Sequence, residues 1–504
     1  MNNNIYDGLQ NPYAPQNAMV KEKIVPEYSR VEKIMSVFSL AAAFCFVRYV
    51  LFYTTGFITT GLYIAIITAA VIYMKKKGCR FTRFNKIQTA VLYVFSLVFS
   101  VTSNGTLKGL NVMFLFGAGA YLVYSMGAGN EKIERFLPFA MCRAVFGYPF
   151  SHFGTQCRIA SDTISKSRKG SNIKLIIIGL LLTVPLTTVV SALLMSADDG
   201  MERMLNGIYD RIFDCDHWDI FWQLMITVPC SFYLFGMLYS NAHCSELDRL
   251  SEQVCTQKLY NWRFVSNLVM YTAVTPICIL YVLFFISQGS YFLSAFMNDL
   301  PEGFTYADYA RRGFFELFAV ALINLGVLCI MSLHSKKAGR EKPFALKFYS
   351  VILSVFTIIL IATAMSKMVM YINRLGLTVL RFYTSWFMLL LGFIFILIII
   401  KQFRYDMRLA KHAAVIFTLM FALLCFSRPE SLIAKYNIRM YNAGYLSELD
   451  KNTLLRMSDD GILTAYTEGA VTADEIEEYE RTNVHGDRCS KYNISSLILD
   501  SIME

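Results

Sequence analysis

Eleven uninterrupted apolar blocks run through the chain, at about 35–53, 57–74, 86–103, 106–126, 175–196, 220–240, 267–287, 313–333, 348–368, 376–400 and 412–428. A helix needs roughly 20 apolar residues to cross the hydrocarbon of a bilayer. Lipid offers no partner to backbone N–H and C=O groups, so a crossing segment must bond internally as a helix or join a closed barrel. Barrel strands are short and alternate apolar with polar residues; these blocks are long and continuous. The expected fold class is all-α, a polytopic transmembrane helix bundle of about eleven spans with a small helical extracytoplasmic C-terminal tail. The 504 residues could otherwise hold two or three soluble domains. Composition excludes that: hydrophobic residues make up 55% and charged residues 17%, where a soluble domain carries about 25% charge.

The charges lie between the blocks, and their distribution decides what a net +10 means. From Glu430 to Glu504 there are 7 Lys/Arg and 14 Asp/Glu, so the tail is acidic while the rest of the chain is basic. Alternate connections, starting with the N-terminal lead, hold 30 Lys/Arg, and the connections between them hold 6. Basic loops stay on the cytoplasmic side. The expected topology is a cell membrane protein with a cytoplasmic N-terminus and an extracytoplasmic C-terminus. The positive charge is a topology signal, and no nucleic-acid partner is expected. Residues 1–33 read as a disordered cytoplasmic lead, 34–429 as the transmembrane domain, and 430–504 as the acidic extracytoplasmic segment. The first twenty residues lack the basic start and apolar core of a signal peptide.

Several connections carry further expectations. Lys75, Lys76, Lys77, Arg80 and Arg83 form a dense inner basic patch that could take anionic lipid as a partner beside the bilayer itself. The apolar stretch 137–152 fits the membrane interface. Met201, Met204, Leu205, Ile208 and Ile212 fall at helical spacing in 197–219, as on an amphipathic surface helix. The run beginning at Asn267 is too long for one span and is expected to bend at Gly289. Pro185, Pro229 and Pro276 each fall near the middle of a span. Each marks a kink, read either as part of a mid-membrane site or as the proline that membrane helices tolerate.

Charged residues near span ends supply the candidate site. Asp308, Arg312 and Glu316 repeat at every fourth residue, so a helix puts them on one face, with Asn324 deeper on nearly the same side. Arg374, Thr378, Arg381 and Ser385 make a narrow polar stripe on a later segment, and Lys367 adds a charge nearby. Charges in spans normally face the bundle or a water cavity and pair there. Glu316 is therefore expected to pair with a neighbouring cation, Arg381 first and Lys367 second. The group reads as a polar vestibule or as an ion-pair network that fixes helix order.

Catalytic and metal signals are sparse. Asp210, Asp214, Asp216, His217 and Asp219 gather carboxylates and an imidazole, but their spacing is unspecific. There is no HExxH, Walker or GxSxG pattern. Cys45, Cys230, Cys278, Cys329 and Cys425 lie inside apolar blocks as packing residues, and no CxxC pair exists. No catalytic residue, cofactor or metal is assigned.

Three stretches carry a family resemblance: FTYADYARRGFFELFAVALINL, NRLGLTVLRFYTSWFMLLLGFIF and AKYNIRMYNAGYLSELDKNTLLRMSDD. They resemble a bacterial membrane family, domain of unknown function 4173, related to domain of unknown function 4153. Tyr492-Asn493-Ile494-Ser495 is similar to a Trp-Asn-aliphatic-Ser ending of that family, with Tyr in place of Trp. The resemblance implies a bacterial cytoplasmic membrane setting and no established activity. It places Asp308, Arg311, Arg312, Glu316, Asn324, Arg374, Arg381, Asn437 and Arg439 in recurring blocks.

Two functions fit the sequence. One is a non-enzymatic cell-envelope sensing or scaffolding protein whose tail docks a protein partner. The other is a secondary transporter or permease for a small solute. A membrane-embedded enzyme ranks third, for want of a catalytic pair. The tail is expected to form short helices, one starting at the capping pattern Thr472-Ala-Asp-Glu475. It is also expected to pack on the outer ends of the last spans.

Overall fold

Short polar loops start the helices of this protein. Ser29 and Glu32 cap the first helix reciprocally: the Ser29 amide donates to Glu32 Oε2 at 2.6 Å and the Glu32 amide to Ser29 Oγ at 3.4 Å. Thr82 and Asn85 repeat the device for the third helix. Asn104 Oδ1 accepts the Leu107 amide at 2.8 Å to start the fourth. Each such bond satisfies donors that a helix N-terminus otherwise leaves free. The computed structural model describes residues 28–52, 55–127, 136–165, 190, 215–244, 257, 261–287, 306–335, 343–404, 406–483 and 493–503.

The helices are α1 (Arg30–Phe52, its last six residues π-helical), α2 (Phe57–Lys76), α3 (Arg83–Val101), α4 (Gly105–Met126), α5 (Thr155–Ser165), α6 (Cys215–Ala242), α7 (Asn267–Ser287), α8 (Tyr306–His334), α9 (Phe344–Leu375), α10 (Val379–Phe403) and α11 (Leu409–Phe426). Five further helices follow: α12 (Pro429–Asn442), α13 (Lys451–Leu455), α14 (Asp459–Thr467), α15 (Ala473–Asn483) and α16 (Ile494–Met503). Among the described residues ten helices, α1–α4 and α6–α11, are long and apolar enough to cross a membrane. The expected span at 175–196, residue 190 apart, the 197–214 part of the expected surface helix and the bend at Gly289 lie outside the described residues. The 137–151 stretch is helical with a π-helical middle, and exposes Phe146 and Phe150. Pro229 and Pro276 sit inside continuous helices. The Thr227 and Thr275 hydroxyls turn back to the Gln223 and Tyr271 carbonyls at 2.6 and 2.7 Å. Neither proline breaks its helix.

The spans form two lobes. Tyr73, Leu92, Phe95, Phe99, Tyr124, Phe235 and Phe421 anchor the first core, built from α1–α4, α6 and α11. Val274, Phe314, Leu353, Met388 and Phe395 anchor the second, from α7–α10. α10 joins them: Phe382, Tyr383 and Trp386 pack on the first core, while Met388, Leu391 and Phe395 belong to the second. Many large apolar side chains face outward, including Ile72, Met113, Leu283 and Leu423. On a soluble protein such a surface would aggregate; on these spans it is the lipid-facing skin.

Gly127, just past α4, shows how closely the lobe is packed. A β-carbon there would lie 2.1 Å from the Asn241 carbonyl oxygen near the end of α6. Phe116 of α4 stacks on Tyr233 of α6, so the two helices run parallel. A third core of Ile433, Ile438, Leu454, Ile462, Val471, Ile476 and Leu499 holds α12–α16 together, and Leu377, Val379 and Phe382 pack against it. The C-terminal helices thus rest on the end of the bundle that carries the α3–α4 and α9–α10 turns, hereafter the tail end.

Candidate functional site

The densest buried polar cluster among the described residues lies where the tail meets the bundle. It begins with Arg428, whose backbone is left-handed at φ 50°, a conformation that costs a non-glycine residue energy and persists only where its surroundings enforce it. That twist turns the chain sharply from α11 into α12, which starts at Pro429. The Arg428 guanidinium donates from Nε and Nη2 to Asp460 Oδ1 at 3.1 and 2.9 Å. Asp460, on the first turn of α14, is fully buried. Its carboxylate also accepts from Thr102 Oγ1, from the Ser103 amide at 3.1 Å, and from Ser495 Oγ. The Asp460 amide returns a bond to Ser103 Oγ at 3.0 Å.

A second buried carboxylate, Glu430, sits beside it. Glu430 accepts from Asn104 Nδ2 at 2.7 Å and from the Ser458 amide at 2.6 Å. On the other side Ser496 Oγ donates to Asp459 Oδ2 at 2.5 Å. Asp460 therefore receives donors from the α3–α4 turn, from the α11–α12 corner and from α16. A carboxylate offers about four lone-pair directions, and those of Asp460 are filled by the protein. Such a group fastens segments together and has no free face for a substrate or an ion.

A separate clamp lies at the α9–α10 turn. The Asn437 side chain of α12 accepts the Leu377 amide at 2.7 Å and donates to the Leu377 carbonyl at 2.8 Å. Gly376 precedes it with φ +76°, and a β-carbon there would lie 2.9 Å from Asn437 Oδ1. Tyr436 donates to Asn373 Oδ1 at 3.2 Å, and burial raises its phenol pKa. The C-terminal helices consequently grip both lobes, the first through Thr102–Asn104 and the second through Leu377.

Those of the residues singled out from sequence whose side chains are described take several different roles. Arg381 lies over the Tyr371 ring at 3.9 Å and donates to the Leu375 and Gly376 carbonyls. It closes the C-terminus of α9, where exposed carbonyls attract a cation, and the expected Glu316–Arg381 pair is replaced by this arrangement. Thr378 accepts the Arg381 amide as the cap of α10, and Ser385 donates back to the Arg381 carbonyl. Both hydroxyls are thus spent on their own helix. Glu316 is exposed, and its charge acts on Lys367 in the neighbouring helix. Arg374 occupies the last turn of α9. Asn324 is fully buried, accepting from Tyr281 and donating to Thr357 at 2.7 and 2.8 Å. The side chains of Asp308, Arg311 and Arg312, and the Asp210–Asp219 group, lie outside the described residues.

At the opposite end Glu32, its side chain only 4% exposed, meets Lys77 Nζ at 2.5 Å and His243 Nε2 at 2.9 Å. One carboxylate there ties α1 to the ends of α2 and α6.

Sequence reasoning passed over the residues that matter most here. Thr102 and Ser103 fall at the end of the apolar block 86–103, Asn104 in the short gap after it, and Arg428 at the end of the block 412–428. A signal was present, since Ser458-Asp459-Asp460 closes one of the resembling blocks and Asn493-Ile494-Ser495 another. Nothing in the sequence alone shows that these distant blocks meet.

Ten apolar helices of spanning length among the described residues, in two lobes and bound at one end by a helical C-terminal unit, define a polytopic α-helical integral membrane protein. The chain belongs to the family described as Domain of unknown function (DUF4153), whose model matches residues 89–467. The match is to this related family rather than to domain of unknown function 4173, which the C-terminal blocks resemble. No curated protein and no solved structure matches the chain.

Proposed function

We propose that this is a non-enzymatic cell-envelope protein, a sensor or scaffold in which the C-terminal unit holds the two membrane lobes in a fixed relation. One observation carries the reading: helices α12–α16 bond to the first lobe through Asp460 and Glu430 and to the second through Asn437. A unit fastened to both lobes can transmit a force or a binding event from its exposed surface to the membrane domain. The exposed acidic groups of α15, including Asp474, Glu477 and Glu478, suit a cationic protein segment as partner.

The secondary transporter or permease remains the second reading. The Tyr281–Asn324–Thr357 chain, in which Asn324 and Thr357 are buried, is a polar group of the second lobe that could face a solute. Its amide is already bonded on both sides, which favours the scaffold. Membership of domain of unknown function 4173 stays part of this proposal, supported by the three resembling blocks. So does the sidedness, supported by the 30-to-6 distribution of Lys and Arg.

An envelope sensor needs its tail outside the cytoplasm. In intact cells a membrane-impermeant maleimide should label Glu477→Cys above the unsubstituted chain, and label Lys76→Cys only after the membrane is opened. The reverse pattern would put the tail in the cytoplasm and end the envelope reading.

A further inference from the structure

The last helix carries an apolar stripe that its own fold leaves uncovered. α16 turns Ser495, Ser496 and Leu499 inward, where they are buried. Ile494, Leu497 and Ile498 face away and are 45%, 46% and 43% exposed. Their spacing of three and four residues places them along one side of a helix. α15 and α14 hold the opposite side, and α16 also rests on the 98–101 end of α3.

That position decides what covers the stripe. The 98–101 segment packs in turn on the first turns of α2, with Thr60 Oγ1 2.7 Å from Ser100 Oγ. Around it lies a rim of outward apolar side chains at the tail end of the spans: Leu51, Phe52, Phe57, Ile58 and Leu97. These side chains belong to membrane-crossing helices, so their surroundings at that depth are lipid. α16 rests on the 98–101 segment, next to Leu97 of this rim, and brings a stripe of the same chemistry to it. Its ten residues carry one charged side chain, Asp500, so attraction to anionic headgroups is not what would hold it.

We propose that α16 is an interfacial helix, seated with Ile494, Leu497 and Ile498 in the boundary between headgroups and acyl chains at the tail end of the bundle. An amphipathic helix in this setting sinks about 5–10 Å into that boundary. The polar side of α16 faces protein instead of water: Ser495 and Ser496 bond to Asp460 and Asp459. The helix therefore ties the fastening cluster to the bilayer surface.

The test uses the full chain in phosphatidylcholine nanodiscs. Acridonylalanine, a fluorescent amino acid, replaces Leu497 in one sample and the exposed Glu477 in another. Lipids brominated near the top of the acyl chain should quench emission from position 497 and leave position 477 unchanged. Loss of quenching at 497 would overturn the proposal. So would equal quenching at both positions, which would show a tail lying on lipid without seating of this helix. Protection of 497 that appears only with two chains per disc would assign the stripe to a second copy and overturn it as well.

Discussion

Gly376 carries two constraints at once. Its φ of +76° is open to glycine and strained for other residues, and its missing β-carbon leaves room for the Asn437 amide. Gly376→Ala should therefore destabilise the protein by more than about 1 kcal/mol, since both the backbone and the clamp oppose it. Adding Asn437→Ala removes the clash but leaves the strained backbone, so the double variant should recover part of the loss. Thermal unfolding in detergent measures this. A neutral Gly376→Ala would show that the turn adapts and that the clamp is loose. Arg381 supports the same turn by closing the α9 carbonyls, which explains why its charge is unavailable to Glu316.

The short helices of the tail depend on their starts. Asp450 caps α13 and its carboxyl lies below the ordinary range, chiefly through the Thr453 hydroxyl bond. Glu475 is lowered chiefly by Lys451, 2.8 Å away, and by the Thr472 amide. A lowered carboxyl stabilises the folded state above its ordinary pKa, and that stability is lost as pH falls through the lowered value. The tail should melt at a constant temperature near neutrality and at lower temperatures in acid below the carboxylate range. The cap is worth about 1 kcal/mol and the exposed Lys451–Glu475 pair about 0.2–1 kcal/mol. Limited proteolysis of the tail across pH reads the effect. Glu475→Gln should flatten part of the acid loss, and an unchanged profile would exclude Glu475 as a contributor. The Thr472–Glu475 start was legible in the sequence because capping is local, and both of its bonds form. The spans were legible for a similar reason: lipid tolerates one local structure, and apolar length announces it. Arg381 was misassigned because the choice between a neighbouring carboxylate and a helix end is made by packing between α9 and α10. Asp460 was missed because its partners Thr102, Arg428 and Ser495 come from three distant segments.

At the scale of the molecule, the described residues form two lobes of lipid-facing helices joined by α10 and bound at one end by α12–α16. Membrane helices have little hydrophobic incentive to associate with one another, since lipid is as apolar as their own side chains. Polar fastening outside the hydrocarbon is one remedy, and Asp460 supplies it by joining the α3–α4 turn, α11, α14 and α16. If that carboxylate holds the tail to the first lobe, neutralising it must loosen both sides together. Hydrogen exchange of the full chain in nanodiscs, comparing wild type with Asp460→Asn, measures both sides in one experiment. Amides of Ser103 and Leu107 in the bundle and of Asp460 and Ile462 in the tail should all exchange faster in the variant. Faster exchange confined to α14, with Ser103 and Leu107 protected as before, would contradict the fastening of tail to bundle by Asp460.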